Sequence, residues 1–363
     1  MSFTYGNVLT VNLSAIAKNW QALDRHTKKS DCAAVIKANG YGLGANHIAN
    51  ALIEVGCTQF FVATPSEGIS LRSSVGPQPK IYVFNGLMGL KNIKNFGEFG
   101  LVPVLNNIED VTLWSDYAKK TQERNAVISI DTGMLRLGLT LSDVITLQHQ
   151  PTKLDGLKIE FIMSHLACAD NPENDKNREQ LDAFQQMRKA FPTIPASLAN
   201  SAGIFLGDQY HFDLVRPGAA IYGIKKSTNA TIPLEQVVEL KAKILQIRDV
   251  DREATVGYGA TASVSAGAVI ATAALGYADG LFRSLSNNAY GYAAGVKVPL
   301  VGRVSMDLVT FDVTEVPKGV LTPGKDIYLL CKEQTVDDLA ESAGTIGYEF
   351  LTSLGSRYER KYK

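Results

Sequence analysis

Eight short apolar runs, rich in β-branched residues, recur along the first two-thirds of the chain with amphipathic segments between them. Such runs predict buried strands, and strands that alternate with helices build a parallel sheet. The predicted strands are 33–37, 60–63, 81–84, 101–104, 126–130, 158–163, 196–199 and 213–216. Eight strand–helix repeats are typical of an N-terminal (β/α)8 TIM-type barrel. A doubly wound sheet stays open as an alternative, although no Gly-x-Gly-x-x-Gly follows the first run.

The pattern changes after about residue 230, where predicted strands follow one another without helices. These strands are 237–250, 267–275, 297–301, 308–313 and 326–330. The change predicts an α/β protein in which a mostly-β C-terminal domain follows the barrel. We expect the barrel domain to cover 9–230 and the β-rich domain 231–363, with residues 1–8 joining the second domain.

Composition limits the classes of partner. The 36 basic and 36 acidic residues cancel, so neither nucleic acid nor an anionic membrane is an expected partner. The amino-terminal residues lack a cationic start and an apolar stretch, so we expect no signal peptide and a cytoplasmic location. The four cysteines are dispersed, which is typical of free thiols, and no cluster has metal-ligand spacing, so no metal is expected.

Polar residues lie at the carboxyl ends of five predicted strands, where barrel enzymes place their chemistry. The chemically useful ones are Lys37, Arg136, His165, Ser201, Arg216 and Gly218. Lys37 has two interpretations: a surface lysine, or a desolvated amine of lowered pKa that forms a Schiff base. Ser201 and Gly218 favour the second, because phosphate binds hydroxyls and glycine-rich backbone. Taken alone, such glycines more often only make turns.

Short motifs along nearly the whole chain resemble, in order, those of bacterial alanine racemases. The segment 34–42, Ala-Val-Ile-Lys-Ala-Asn-Gly-Tyr-Gly, is similar to the family's cofactor-lysine motif. The others are Asp131-Thr132-Gly133-Met134 with Arg136, Ser164-His165, Asn200-Ser201, Arg216-Pro217-Gly218, Gly257-Tyr258-Gly259, Gly276-Tyr277-Ala278-Asp279-Gly280, and Gly302-Arg303 with Met306-Asp307. The resemblance implies a pyridoxal-phosphate-dependent enzyme that interconverts L-alanine and D-alanine. It also implies a homodimer whose active site is shared between subunits.

The resemblance implies roles for individual residues. Lys37 holds pyridoxal phosphate and is the base on one face of the substrate, and Tyr258 of the partner subunit serves the other face. Arg216 faces the pyridine nitrogen, with a salt bridge to an acid such as Asp213 as the alternative. His165 with Arg216 forms a relay that helps Tyr258 to ionise.

The remaining contacts concern substrate, phosphate and entrance. Arg136 contacts the cofactor's phenolic oxygen and the substrate carboxylate, which the backbone of Met306 also holds. The resemblance places Tyr41, Ser201, Gly218 and Tyr348 around the phosphate. It places Tyr277, Tyr348, Asp170, Arg303 and Asp307 at a narrow entrance, with ordinary interface residues as the alternative.

The chain departs from the family pattern at three positions. Ser129 stands where many members carry a carbamylated lysine, so Arg136 lacks its usual anionic neighbour. We expect a bound chloride or an ordered water there. Leu43 replaces a frequent histidine and Ser305 a frequent cysteine.

Competing functions stay open from the sequence. They are a racemase of broader specificity, for example for serine or lysine, a non-catalytic pyridoxal-phosphate-binding protein, and a barrel decarboxylase. The favoured interpretation is an alanine racemase that supplies D-alanine as a peptidoglycan precursor, although a role in alanine breakdown fits the same residues.

Overall fold

The chain forms two compact units in the computed structural model, which describes residues 6–225 and 232–363. We name Ala15–Glu235 the barrel unit, and Met1–Ser14 with Gln236–Lys363 the β unit. Strand β1, Val8–Val11, belongs to the β unit. The predicted boundary between residues 230 and 231, and residues 1–5 of the predicted joining segment, lie outside the described residues. The predicted domain limits therefore stay a prediction.

Short parallel strands line the barrel unit. They are β2 (Asp31–Cys32), β3 (Ala34–Val35), β4 (Gln59–Val62), β5 (Lys80–Val83), β6 (Leu101–Leu105), β7 (Asn125–Ser129), β8 (Lys158–Met163), β9 (Ala196–Ser197) and β10 (Leu214–Val215). Strands β3 to β9 pair in sequence order, and β10 pairs with β2. Hydrogen bonds of 3.0 Å from Arg216 N to Ala199 O and from Ala33 N to Val215 O close the ring. This closure confirms the predicted (β/α)8 barrel and excludes the doubly wound alternative.

Helices alternate with these strands. They are α1 (Leu13–His26), α2 (Lys37–Tyr41), α3 (Ala45–Glu54), α4 (Pro65–Val75), α5 (Ile93–Glu98), α6 (Ile108–Ala118), α7 (Leu141–His149) and α8 (Lys176–Met187). Side-chain caps fix several starts: Thr64 accepts a hydrogen bond from Glu67 N, and Asn107 from Asp110 N. Across residues 6–225 and 232–363, the structure contains no helix with the length and apolarity needed to cross a bilayer.

The barrel interior is filled by side chains from alternating strand positions. Val35, Phe61, Tyr82, Val127 and Phe161 belong to this buried cluster. The rings of Phe61 and Tyr82 stack with centroids 4.7 Å apart. Burial of each large apolar side chain contributes roughly 1.5–3 kcal/mol. The packed interior makes the strand ends a rigid platform for the polar residues that follow them.

The β unit contains β11 (Val238–Asp249), β12 (Ala254–Val256), β13 (Ala262–Val264), β14 (Val269–Ala273), β15 (Tyr290–Ala293), β16 (Val296–Pro299), β17 (Val309–Asp312), β18 (Asp326–Leu330) and β19 (Glu359–Tyr362). It also contains helices α9 (Val336–Ser342) and α10 (Gly347–Ser353). One sheet runs in the order β16-β15-β18-β11-β1-β19, and β14 pairs with β11 and β17. Strand β1 is antiparallel to β11 and parallel to β19. The unit is mostly β, as predicted.

Candidate active site

The predicted site residues of the barrel unit lie at the carboxyl ends of its strands. Lys37 follows β3, Arg136 follows β7, His165 follows β8, Ser201 follows β9, and Arg216 with Gly218 follows β10. The positive charges of Arg216, Arg136 and Lys37 all act on His165. The barrel therefore brings together, at one mouth, residues that lie far apart in the sequence.

Lys37 carries an amine that is partly desolvated. Although its side chain reaches solvent, the surrounding protein lowers the pKa of the Lys37 amine, and the positive charge of Arg136 lowers it further. Its Nζ lies 6.0 Å from the centroid of the Phe84 ring. A lowered pKa increases the share of neutral amine, which is the form that attacks a carbonyl or accepts a proton.

A left-handed turn follows Lys37. The φ/ψ angles of Ala38 (51°, 48°), Asn39 (54°, 48°) and Gly40 (62°, 46°) are left-handed, and φ of Tyr41 is 55°. Each non-glycine residue in this conformation costs roughly 1–2 kcal/mol. A Cβ on Gly40 would lie 2.7 Å from Cδ1 of Ile48 and 3.0 Å from the backbone nitrogen of Ala45, so a side chain there would force its neighbours to shift. Strain of this kind persists only when neighbouring contacts hold it.

Ser201 and Gly218 form a small cradle beside Tyr41. Ser201 Oγ accepts hydrogen bonds from Gly218 N at 2.8 Å and from Ala220 N at 3.2 Å. A Cβ on Gly218 would lie 2.5 Å from the Tyr41 hydroxyl oxygen, so a side chain would fill the cradle. The Tyr41 ring packs on Tyr222 with centroids 4.5 Å apart. Hydroxyls and backbone N–H groups that converge in this way suit a phosphate.

Arg216 is a buried arginine, with 2% of its surface exposed. Its Nη2 donates to Ser164 O at 2.6 Å, and its Nη1 donates to Ser197 Oγ. Its Nε has no hydrogen-bond partner among the described residues. Burial lowers the pKa of Arg216, but the guanidinium stays protonated at neutral pH. The structure thus offers one buried donor that awaits an acceptor.

The alternative salt bridge between Arg216 and Asp213 is wrong for the part of the chain that the structure describes. The ion pairs found there do not include Arg216. Asp213 instead accepts a hydrogen bond from Ala196 N at 2.8 Å. Because neutral acceptors hold Arg216, its positive charge stays uncompensated by a carboxylate.

His165 lies among three cations. Burial is the main cause that lowers the pKa of His165 to about 3, and the charges of Arg216, Arg136 and Lys37 add to it. The imidazole is therefore neutral at neutral pH. Of the two residues in the predicted relay, Arg216 carries the positive charge and His165 is neutral.

Gln180 is a structural residue of the site that the sequence analysis missed. It is fully buried on α8, where its amide donates to His165 O at 2.9 Å and to Thr132 Oγ1 at 3.2 Å. Its carbonyl oxygen accepts from Ala167 N at 2.8 Å. The Thr132 and Ser164 hydroxyls lie 2.7 Å apart. Its position four and seven residues before the buried Phe184 and Met187, on the same helix face, is the signal that could have identified it.

Glu67 was also missed. Its Oε1 accepts from Ala38 N at 2.8 Å, and its Oε2 accepts from Ala63 N at 2.7 Å. It also completes the capping box of α4 with Thr64. The Thr-x-x-Glu spacing was readable in the sequence, but the contact with the turn after Lys37 was not.

Ser129 ends β7 as a buried residue, 7% exposed. Arg136 is exposed and forms none of the ion pairs found in residues 6–225 and 232–363. Within residues 6–225 and 232–363, no carboxylate is ion-paired with Arg136, and the expectation of a chloride or an ordered water beside it stays a prediction.

Tyr258 and Met306 are exposed in the β unit, at 73% and 54%. Tyr258 lies in a short turn between Gly257 and Gly259, whose φ angles are 73° and 75°. Ala278 N donates to Met306 O at 3.0 Å, which joins the loops of the two predicted motifs. Of the remaining predicted residues of this unit, Tyr277, Arg303 and Asp307 are exposed, and Tyr348 is half-buried in α10. The predicted entrance residue of the barrel unit, Asp170, is exposed.

Two of these loops are held by Arg357, a residue that the sequence analysis missed. Its Nε lies 3.0 Å from Oδ1 of the buried Asp279, and its Nη1 lies 2.7 Å from Oδ1 of Asp307. Asp279 Oδ2 also accepts from Gly276 N at 2.8 Å. Burial raises the pKa of Asp279, which the charge of Arg357 opposes. The guanidinium therefore links the loop that carries Tyr277 to the loop that carries Met306.

Comparison with known proteins identifies similar chains over the full length. Residues 11–226 match the family model described as alanine racemase, N-terminal domain, and residues 237–362 match alanine racemase, C-terminal domain. An alanine racemase of Rhizobium meliloti (strain 1021) is 44% identical over 98% of this chain and 96% of its own length. A catabolic alanine racemase of Agrobacterium fabrum (strain C58) is 42% identical over 98% of this chain and 91% of its own.

Solved structures give the same picture. The crystal structure of alanine racemase from Bartonella henselae with covalently bound pyridoxal phosphate has a TM-score of 0.91 and 36% identity, covering 99% of this chain and 100% of that chain. The crystal structure of the biosynthetic alanine racemase from Pseudomonas aeruginosa has a TM-score of 0.90 and 29% identity. The match covers 99% of this chain and 100% of that chain.

Proposed function

The chain belongs to the alanine racemase family, and from that premise we propose how its own residues divide the reaction. It is a pyridoxal-phosphate-dependent isomerase that interconverts L-alanine and D-alanine. Bound pyridoxal phosphate supplies an electron sink that stabilises negative charge on the substrate α-carbon. The observation that carries the assignment of residues is the buried, unpartnered Nε of Arg216 at the same mouth as the Lys37 amine.

The barrel residues fit this cofactor. Arg216 Nε is a donor for a ring nitrogen, and a donor that keeps its own proton leaves that nitrogen unprotonated. The cradle of Ser201 and Gly218 suits the phosphate, and Lys37 provides the amine that attaches the cofactor. The full proposed set of cofactor-binding residues is Lys37, Tyr41, Arg136, His165, Ser201, Arg216, Gly218 and Tyr348.

Two bases explain inversion better than one, because a single base tends to return the proton to the face it came from. Lys37 moves the proton on one face, and its lowered pKa favours the neutral form that this role needs. Tyr258 of the partner subunit moves the proton on the other face. Its 73% exposure leaves the phenol available to a second subunit.

The substrate carboxylate is the ligand that we assign to Arg136 and to the backbone of Met306. Arg136 lacks an ion pair among the described residues, so its planar donors are available to a carboxylate. We assign the entrance to Tyr277, Tyr348, Asp170, Arg303 and Asp307.

A homodimer with a shared active site is supported by exposed apolar side chains. The exposed apolar residues include Leu135, Leu137, Leu141 and Ile145 in the barrel unit, and Tyr258, Tyr277, Met306 and Leu308 in the β unit. Leu135 alone is 88% exposed. Groups of such residues mark interaction surfaces on soluble chains. In this proposal the functional domains are residues 9–230 and 231–363, with residues 1–8 joined to the second.

A cytoplasmic location and a role in supplying D-alanine for peptidoglycan are further parts of the proposal. All four cysteines are free thiols, and Cys32 and Cys57 are buried, as is common in reducing compartments. Relatives and neighbours include proteins named catabolic and biosynthetic, so growth of a deletion strain with and without D-alanine separates the two roles.

The test follows both products of proton transfer. Purified protein is incubated with L-alanine or D-alanine in heavy water, and α-deuteration and optical inversion are measured. Exchange with inversion is expected, whereas release of carbon dioxide without inversion would indicate a decarboxylase. The same assay with serine and lysine measures the breadth of specificity.

Tyr258→Phe separates the two faces. We expect α-deuteration of one enantiomer to fall by about 10²–10⁴-fold, the usual contribution of a general acid or base. The other enantiomer should keep far more of its exchange. Tyr290→Phe, in β15 of the same unit, is the matched control. Equal and mild losses for both enantiomers contradict the two-base assignment.

A further inference from the structure

One carboxylate joins two neighbouring strand ends beside the site. Glu67 accepts a hydrogen bond from Ala38 N, directly after Lys37, and one from Ala63 N, directly after β4. Strands β3 and β4 are paired neighbours in the barrel. Since Oε1 binds the N–H of Ala38 and Oε2 binds the N–H of Ala63, the side chain constrains the distance between the two chain segments.

The segment that Glu67 holds needs such support. Ala38, Asn39 and Tyr41 are L-residues with φ between 51° and 55°, so the turn is intrinsically unfavourable. The far side of the turn is held by Asn39 Oδ1, which accepts from Ala45 N at 3.0 Å. On the near side, the first N–H of the turn goes to Glu67. This first residue is bonded directly to Lys37, so holding its N–H constrains the peptide unit from which the Lys37 side chain leaves.

We propose that Glu67 is a positioning residue for the racemase reaction: its carboxylate holds the left-handed turn and thereby aims the Lys37 amine into the barrel mouth. The inference rests on the proposed role of Lys37. It adds a residue outside the cofactor and substrate contacts, and it acts only through Lys37.

A simpler role for Glu67 is that it merely caps α4. Thr64 Oγ1 accepts from Glu67 N at 3.3 Å, and Glu67 Oε2 lies 3.4 Å from Thr64 N. Both contacts are longer than the bonds to Ala38 and Ala63 at 2.8 and 2.7 Å. The two roles can be separated, because Thr64→Ala damages the cap and leaves the carboxylate in place.

The charge of Glu67 gives a second readout. The groups that act on the Lys37 amine are Arg136, whose charge lowers its pKa, and Glu67, whose charge raises it, and His165 lies in the field of the same amine. Removal of the negative charge should therefore lower the pKa of Lys37 further. The acidic limb of the pH profile of kcat should then move to lower pH.

The experiment compares the full-length holoenzyme with Glu67→Gln, Thr64→Ala and the exposed control Glu98→Gln. Glutamine keeps the shape but turns one acceptor into a donor that faces a backbone N–H. We expect kcat for alanine to fall at least about tenfold with KM within about twofold, because small misplacements of a reacting group are costly. Hydrogen exchange at the Ala38 amide, measured without substrate, should accelerate at least about tenfold. Thr64→Ala and Glu98→Gln should leave kcat and this exchange within about twofold of wild type.

The proposal is overturned if Glu67→Gln keeps wild-type kcat and Ala38 exchange, or if Thr64→Ala reproduces its effects. If Glu67→Gln does not fold, Glu67→Asp keeps the charge and shortens the reach by one methylene. It should lose kcat without the shift in pH profile, and wild-type kcat in that variant refutes the inference. A wild-type protein that fails to racemise alanine contradicts the proposed function instead, whereas the exchange at Ala38 is read independently of substrate.

Discussion

Arg216 donates a hydrogen bond of 2.6 Å from Nη2 to the backbone carbonyl oxygen of Ser164, at the end of β8. A buried arginine is usually compensated by a carboxylate, but here a carbonyl and the hydroxyl of Ser197 hold it. The groups that orient the guanidinium therefore do not neutralise its charge. The guanidinium is fixed in place and keeps its full charge for whatever binds at Nε.

Arg216→Lys tests this arrangement. Lysine keeps the charge, but its single ammonium cannot reach Ser164 O, Ser197 Oγ and a ligand at the Nε position at the same time. Buried acceptors therefore lose their hydrogen-bond donor. Each unpaired buried group costs roughly 1–3 kcal/mol, and we expect the free energy of unfolding to fall by about that amount, with a large loss of kcat. Urea denaturation and racemase assays measure both. The exposed Arg25→Lys is the control, and a change in stability below about 0.5 kcal/mol would argue against the arrangement.

The low pKa of His165 makes stability depend on pH. The folded pKa is about 3 against an ordinary value of 6.5, so between these values the unfolded chain binds one more proton at this site. Stability therefore decreases as pH falls through this window, by at most about 1.4 kcal/mol per pH unit from this group. The half-buried ring is partly screened, which reduces the figure. We expect His165→Gln to flatten the fall in urea unfolding free energy between pH 6.5 and 4.5, and the exposed His149→Gln to leave it unchanged.

Regular elements followed from the sequence where periodicity and burial agree. The predicted strand 158–163 is β8, and the amphipathic segment that follows the predicted strand 101–104 contains α6, Ile108–Ala118. The run predicted at 196–199 pairs as a strand only over Ala196–Ser197, because its end turns into the site. The place of β1 between β11 and β19 did not follow, since a four-residue strand carries no information on distant partners.

The site was predictable only in part, for a related reason. Lys37, Arg216 and Gly218 stand out because charged residues and glycines at strand ends break an apolar pattern. Glu67 and Gln180 do not, because each resembles an ordinary helix residue until the barrel brings it to another strand end. The left-handed turn after Lys37 was also hidden, since its alanine and asparagine carry no left-handed preference strong enough to predict it.

An anion beside Arg136 is the expected consequence of Ser129. Because the ion pairs among the described residues do not include Arg136, we expect chloride or an ordered water to complete the surroundings of the guanidinium. If chloride does so, KM for alanine should rise about two- to tenfold in chloride-free buffer of equal ionic strength, because a mobile arginine binds a carboxylate less well. Ser129→Asp supplies a fixed negative charge and should remove the chloride dependence. Equal kinetics of the wild-type enzyme in both buffers, with water or a protein carboxylate against Arg136, would end the chloride hypothesis.

Arg357 should control substrate binding through the loop of Met306. Arg357→Gln breaks its ion pairs with Asp279 and Asp307 and leaves the buried Asp279 carboxylate with the Gly276 N–H as its remaining described donor. Since Arg357 is half exposed, we expect a loss of about 1–3 kcal/mol in the free energy of unfolding, less than for a fully buried pair.

The kinetic expectation for Arg357→Gln follows from the same geometry. A loosened Met306 loop weakens the hold on the substrate carboxylate, so KM should rise about three- to tenfold while kcat changes little. Asp307→Asn removes only the exposed half of the pair and should give a smaller change in both quantities. The exposed Arg252→Gln in the same unit serves as the control. A loss confined to kcat would place Arg357 in the chemical step rather than in the binding of the carboxylate.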